Sequence, residues 1–244
     1  MTPTGPSPAS AYEIRRGEIE AYFDRTAAAA WQRLTSDAPV GGIRATVRAG
    51  RDRMRATLLS WLPGDLSGRR VLDAGCGTGA FSIAAAERGA RVVAVDLAPT
   101  LVGIARERAA AAGVLDRIAF HAGDMLSAPA LPADDDRFDH VVAMDTLIHY
   151  RPDDMAGMIA RLAARADRSL LYTFAPRTPA LAAMHAVGRL FPRSNRAPAI
   201  EPVGARRLAM SIAAHPGLGR WQAGRAADVA SGFYTSSARE LVRT

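Results

Sequence analysis

Val71-Leu72-Asp73-Ala74-Gly75-Cys76-Gly77-Thr78-Gly79 carries more information than any other segment of the chain. It begins as a short apolar strand, sets a carboxylate near its end, and runs into three alternating glycines. Glycine lacks a Cβ, so the backbone can turn sharply there and lie close against a bound molecule. The helical stretch that follows, from about Gly79 to Arg88, makes the whole a strand handing over to a helix. Taken alone, G-x-G-x-G is a weak signal, because a tight strand-to-helix turn would use the same residues.

On the C-terminal side of this turn, strands and helices alternate. Strands are expected at Arg91–Val95, Ile118–Ala122, Asp139–Met144 and Ser169–Ala175, and helices after Pro99, which suits a first helical turn, and around Met155–Ala166. Such alternation indicates an α/β fold: a Rossmann-like, mainly parallel sheet with helices on both faces. Segments near Trp221–Ser231 and Phe233–Val242 are expected to close it as a hairpin. Residues 176–219 are too long for a simple connection and read as an insertion after the fifth strand. It has helical spacing at Leu181, Met184, Val187, Leu190 and Phe191, and a second helix near Arg206–Ala214.

Before the glycine turn the pattern is purely helical. Ile19, Tyr22, Phe23, Ala27, Trp31 and Leu34 recur three or four apart, as do Ile43, Val47, Met54, Leu58, Trp61 and Leu62. Residues 11–63 are therefore expected to form an N-terminal helical lid, with SDAPVGG as the loop inside it. Residues 1–10 read as a disordered lead without the features of a secretory signal. Residues 64–244 form the core domain, which 244 residues and 49% apolar composition can sustain.

Charge and composition narrow the partners only slightly. The chain carries a net +7, all of it from arginine, spread along its length. That balance suits nucleic acid, an anionic membrane surface or an acidic small molecule alike. No aromatic-interleaved basic platform appears, and no Asn/Asp-Pro-Pro-Tyr/Phe motif follows the fourth strand, so nucleic acid is not expected. A lone cysteine, Cys76, excludes an internal disulfide and suits a reducing cytoplasm. No apolar run is long enough to span a bilayer, so contact with an inner membrane would be peripheral. Five scattered histidines indicate no protein metal site.

Three features sharpen the glycine turn. Asp73 leads it, Asp96 ends the second strand, and Gly123-Asp124-Met125 follows the third. A carboxylate like Asp96 can accept two hydrogen bonds from a ribose diol. The loop resembles motif I of class I methyltransferases rather than the G-x-G-x-x-G of dinucleotide sites. That resemblance implies S-adenosylmethionine (SAM) as cofactor, contacted by Asp73, Gly75, Cys76, Gly77, Gly79, Asp96, Leu97, Asp124, Met125 and Asp145. For Asp145 a helix cap is an equal alternative. In open α/β sheets ligands sit beyond the carboxyl ends of strands, so Asp145 to Tyr150 should border the transferred methyl.

A narrower resemblance covers nearly the whole chain. Tyr22-Phe23, Trp31, Val47-Arg48-Ala49-Gly50-Arg51-Asp52-Arg53-Met54, Met144–Tyr150, Phe174–Thr178, Gly188–Pro192 and Phe233-Tyr234 are similar to the magnesium-protoporphyrin IX O-methyltransferases of chlorophyll and bacteriochlorophyll synthesis. SDAPVGG departs from that family, which has a longer, aromatic-containing loop. The resemblance implies methyl transfer to one propionate of magnesium protoporphyrin IX; His149 and Tyr22 are the candidate catalytic residues, with a structural loop histidine as the alternative for His149. It also allows contact with a magnesium chelatase subunit, the source of the substrate.

A flat apolar disc with acidic edges needs apolar walls and a cationic rim. Trp31, Arg48 and Arg177 are the candidate substrate residues. Met54, Trp61, Met184, Leu190 and Phe191 are further walls, or simply core. Arg44, Arg48, Arg51 and Arg55 share a helix face, either as a solvated stripe or as partners for propionates. Two alternatives remain: a SAM-dependent O-methyltransferase for another small acceptor, such as a quinone precursor, and a non-catalytic porphyrin carrier.

Overall fold

A computed structural model of the protein describes residues 11–22, 24, 41–127, 137–177 and 200–244. Trp31, residues 1–10 and the helical spacing at 181–191 lie outside the described residues. Two helices come first, α1 (Ala11–Ala21) and α2 (Gly42–Ser60). Strands and helices then alternate as β1 (Arg70–Ala74), α3 (Ala80–Glu87), β2 (Arg91–Asp96), α4 (Pro99–Ala111), β3 (Ile118–Ala122), β4 (Phe138–Ala143), α5 (Pro152–Ala163) and β5 (Ala166–Phe174). Helix α6 (Ala205–Ala213) and the hairpin β6 (Trp221–Ser231) and β7 (Tyr234–Arg243) complete the chain.

The strands form one seven-stranded sheet in the order β3-β2-β1-β4-β5-β7-β6. The first five are parallel, and β7 runs antiparallel between β5 and β6. Strand periodicity sends neighbouring residues to opposite faces. Val71, Val92, Val142 and Leu171 thus meet α2, α3 and α4 through Met54, Leu58, Phe81 and Val102. Leu72, Val141, Leu170 and Tyr172 meet α5 and α6 through Met155, Ile159, Leu208 and Ile212 on the other side. Because both faces are covered, the central strands are apolar throughout rather than alternating.

Observed elements follow the expected ones, with small shifts at their ends. Strand β5 starts three residues early, at Ala166, where its carbonyl accepts from Arg137 and Arg243. Of the insertion, Pro176 bridges Val203 and α6 packs on α5. Among the described residues, no helix is long and apolar enough to cross a membrane. Helix α2 presses so closely on the hairpin that a Cβ at Gly50 would overlap the Tyr234 ring. That contact brings the N-terminal helices and the last two strands to the same end of the sheet as the glycine turn.

Candidate active site

The glycine turn is held by its backbone. Both Gly75 and Cys76 donate N–H bonds to the Val95 carbonyl, at 2.8 and 3.0 Å. Gly75 has φ +91°, a conformation that side chains resist, and a Cβ there would overlap the Thr146 side chain. Thr146 in turn donates its hydroxyl to the Ala74 carbonyl at 2.9 Å, tying the end of β4 to the loop. Gly79, at φ +79°, precedes α3 and packs on Ala105, so it shapes the helix start rather than the cavity.

Carboxylates surround this turn with different duties. Asp96 accepts from Gly77 N–H at 2.8 Å on one oxygen and from Ala98 N–H at 3.0 Å on the other. Burial pushes its carboxyl upward, and those two bonds oppose the push. Each oxygen has a second lone pair, so a ribose diol can still be accepted. Asp73 is buried behind the loop, bonded by the Ser82 hydroxyl at 2.5 Å. Burial raises it to about 7, against the Ser82 bond and with help from nearby Asp96. It supports the loop from beneath and does not line the cavity. Burial first, then the Asp96 and Asp73 charges, push the Cys76 thiol well up, so it behaves as a small apolar wall.

In front of the loop lies a cavity of about 360 Å³. Asp96, Leu97, Leu101, Asp124 and Met125 line one end of it. Asp124 accepts from Leu126 N–H at 2.9 Å and pairs with Arg16 of α1 at 3.4 Å. Tyr22, Arg51, Asp145, His149, Phe233 and Tyr234 contribute to the other end. His149 is buried in the short turn Leu147–His149, and burial raises the Tyr22 phenol above its ordinary range, so Tyr22 remains a proton donor.

Asp145 is the most heavily bonded side chain of this second end. Among the described residues it is the one non-glycine with positive φ, +53°. Its carboxylate pairs with Arg51 at 2.7 Å and accepts from the Tyr234 hydroxyl at 3.0 and 3.1 Å. Ser236 and Thr173 hydroxyls add bonds at 3.3 and 3.2 Å. The carboxylate expected to meet the cofactor, or to cap a helix, is thus engaged by α2 and β7.

Of the expected substrate residues, neither Arg48 nor Arg177 lines the cavity. Arg177 is exposed, its backbone pairing with Val203. Along the arginine stripe of α2 it is Arg51 that reaches the cavity, whereas Arg55 pairs with Asp52. Met54 is core, and Trp61 is covered by the Arg225 guanidinium. From sequence, Arg51 stood only as one of four stripe arginines, Thr146 only within the Asp145–Tyr150 stretch and Tyr234 only beside Phe233, while Ser236 was not named. The signals for them, an arginine stripe and an aromatic pair near the C-terminus, are too common to choose individual residues.

Known proteins divide along the same line as the cavity. Residues 71–167 match the general methyltransferase domain family, and residues 143–243 match the magnesium-protoporphyrin IX methyltransferase C-terminus family. The magnesium-protoporphyrin O-methyltransferase of Rhodobacter capsulatus is 46% identical over 232 residues, covering 95% of this chain and 98% of that one. The chain belongs to the magnesium-protoporphyrin O-methyltransferase family.

A solved family member, the Synechocystis enzyme with bound S-adenosylhomocysteine (SAH), superimposes with a TM-score of 0.79 at 28% identity, over 93% of this chain and 98% of that one. The same enzyme with bound SAM gives 0.77 at 25% identity over all of both chains. In this methyltransferase the cradle suits such a cofactor. Gly75, with Thr146 packed where a Cβ would stand, lets the backbone itself form the cavity wall, Asp96 offers acceptors at a strand tip, and Leu97, Leu101 and Met125 give apolar walls for a flat base.

Proposed function

We propose that this protein transfers the methyl group of SAM to one propionate carboxylate of magnesium protoporphyrin IX, giving the monomethyl ester in chlorophyll or bacteriochlorophyll synthesis. The observation that carries this reading is the end-to-end identity with the Rhodobacter capsulatus enzyme, extending through the C-terminal block that builds the acceptor end of the cavity.

When bound, SAM supplies a methyl carbon activated by a sulfonium. A propionate is already ionised near neutral pH, so no strong base is needed. The protein's work is to align oxygen and methyl carbon and to exclude water. Asp96 and the Gly75–Gly77 backbone hold the adenosyl end, and Asp124 with Met125 takes the base. His149 hydrogen-bonds the attacking propionate or carries its residual proton. Tyr22, just past the end of α1, would close over the acceptor as part of an N-terminal lid. Arg48 and Arg177, outside the cavity lining, would meet only the outer edge of the macrocycle. Phe233 supports this geometry: it is 48% exposed yet borders the cavity, an apolar ring at the mouth suited to a flat disc. Delivery from a magnesium chelatase subunit, in the cytoplasm or at the membrane surface, fits a poorly soluble substrate.

A methyl-transfer assay with magnesium protoporphyrin, metal-free protoporphyrin and a phenolic quinone precursor tests the reading. Ester formation on the magnesium porphyrin is expected; transfer to the phenol alone would replace it. His149→Ala should lower turnover by roughly ten- to a hundredfold, the value of a hydrogen bond to a charged group, while SAH affinity changes little. An equal loss of both would make His149 structural.

A further inference from the structure

Arg51 is the one arginine among the described residues lining the cavity. Its pair with Asp145 is lopsided. The Asp145 side chain is 4% exposed and backed by the Tyr234, Ser236 and Thr173 hydroxyls, whereas Arg51 is 20% exposed. Both side chains line the cavity, with the negative charge spread into the protein by these hydroxyls and the guanidinium the more exposed member of the pair. A guanidinium presents its N–H donors in a rigid planar fork and can serve two carboxylates at once. Asp145, itself pinned in a positive-φ conformation, keeps that fork from swinging away.

Resting on the function proposed above, the reaction brings two carboxylates besides the one that is methylated. One is the acceptor's second propionate, and the other is the α-carboxylate of the cofactor's methionine. A cation paired directly with the attacking oxygen would hold its electron pairs and slow attack, so its compatible use is on a carboxylate that does not react. We propose that Arg51 receives such a spectator carboxylate, with Asp145 as its positioning residue. If the spectator is the second propionate, a monoester turned end for end would set a neutral ester against Arg51. The reaction would then stop after one methyl.

Two ratios test this and tell the sources apart. The first is SAH affinity against that of 5′-methylthioadenosine, which lacks the amino-acid end, measured by calorimetry. The second is kcat/KM for magnesium protoporphyrin against a magnesium porphyrin with a single propionate. Arg51→Gln should reduce one of these preferences by about ten- to a hundredfold, the value of a charged hydrogen bond. Arg51→Lys should keep part of it, and Asp145→Asn should reduce the same preference by less. A variant that is only less well folded lowers both members of each ratio together, so the ratios report the contact itself. Both preferences staying within about twofold of wild type in Arg51→Gln would overturn the assignment. If the wild-type protein methylates neither porphyrin, the functional reading falls, and the SAH ratio still judges Arg51 by itself.

Discussion

The cofactor end and the acceptor end of the cavity are built by different means. At the cofactor end, short backbone bonds join residues close in sequence: Gly77 N–H reaches Asp96 over 19 positions, and Gly75 and Cys76 share the Val95 carbonyl. At the acceptor end, side chains join distant segments. Arg51 meets Asp145 across 94 positions, and Tyr234 meets Asp145 across 89. The first construction tolerates few residue types, because backbone geometry dictates them. The second depends on helices and strands docking correctly before any contact exists, which lets it diverge between acceptors while the cofactor end stays general.

The contrast can be broken first at the loop. Gly75→Ala adds a Cβ at positive φ against Thr146 and should cost about 2–6 kcal/mol of stability and abolish SAH binding, as read by thermal melting and calorimetry. Unaltered SAH affinity would mean that the turn does not need its glycine.

Next in size is a pH effect beneath the loop. In the unfolded chain the Asp73 carboxyl ionises near its ordinary 3.8, but in the folded chain it holds its proton to about 7. The unfolded form releases its proton first, so folding stability falls as pH climbs from about 4 to about 7 and then levels. Asp73→Asn should remove this slope, a swing of up to about 4 kcal/mol. A denaturation series across that window checks it, and an unchanged slope in the variant would place the titration elsewhere.

At the acceptor end the expected changes are smaller. Tyr234→Phe removes one donor from the Asp145 carboxylate, worth about 1–3 kcal/mol, and should slow methyl transfer more than it weakens SAH binding. Equal losses would show that the two ends are not separable. Smallest of all, and back at the cofactor end, Arg16→Ala breaks a partly exposed pair with Asp124 and should cost under about 1 kcal/mol, with the loss shrinking further at high salt in melting experiments.

Much of this was legible in the chain itself. Strand β3 was placed to the residue, and β1, β2 and the closing hairpin to within a few, because short runs of strand-forming residues bounded by turn residues mark strands whether central or at an edge, and glycine turns must be glycine. Gly75, Gly77, Asp96 and Met125, expected from the glycine turn, a strand end and the family resemblance, all line the cavity. Asp73 was found too, although its place beneath the loop rather than in the cavity needed three-dimensional burial to be seen. The arginine that reaches the cavity was not identifiable in advance: Arg44, Arg48, Arg51 and Arg55 share one helical periodicity, and only the docking of α2 on the hairpin, with Gly50 against Tyr234, turns Arg51 inward.

Sequence alone therefore determined the α/β alternation, the glycine cradle and the carboxylates at the strand tips, since each follows from local backbone geometry and nearest-neighbour burial. Tertiary structure alone decided that Asp145 serves Arg51 and Tyr234, and that Arg51 rather than Arg48 lines the cavity. Those contacts join segments roughly ninety positions apart. No local propensity carries such information, because the pairing partners come within reach only after the sheet has closed.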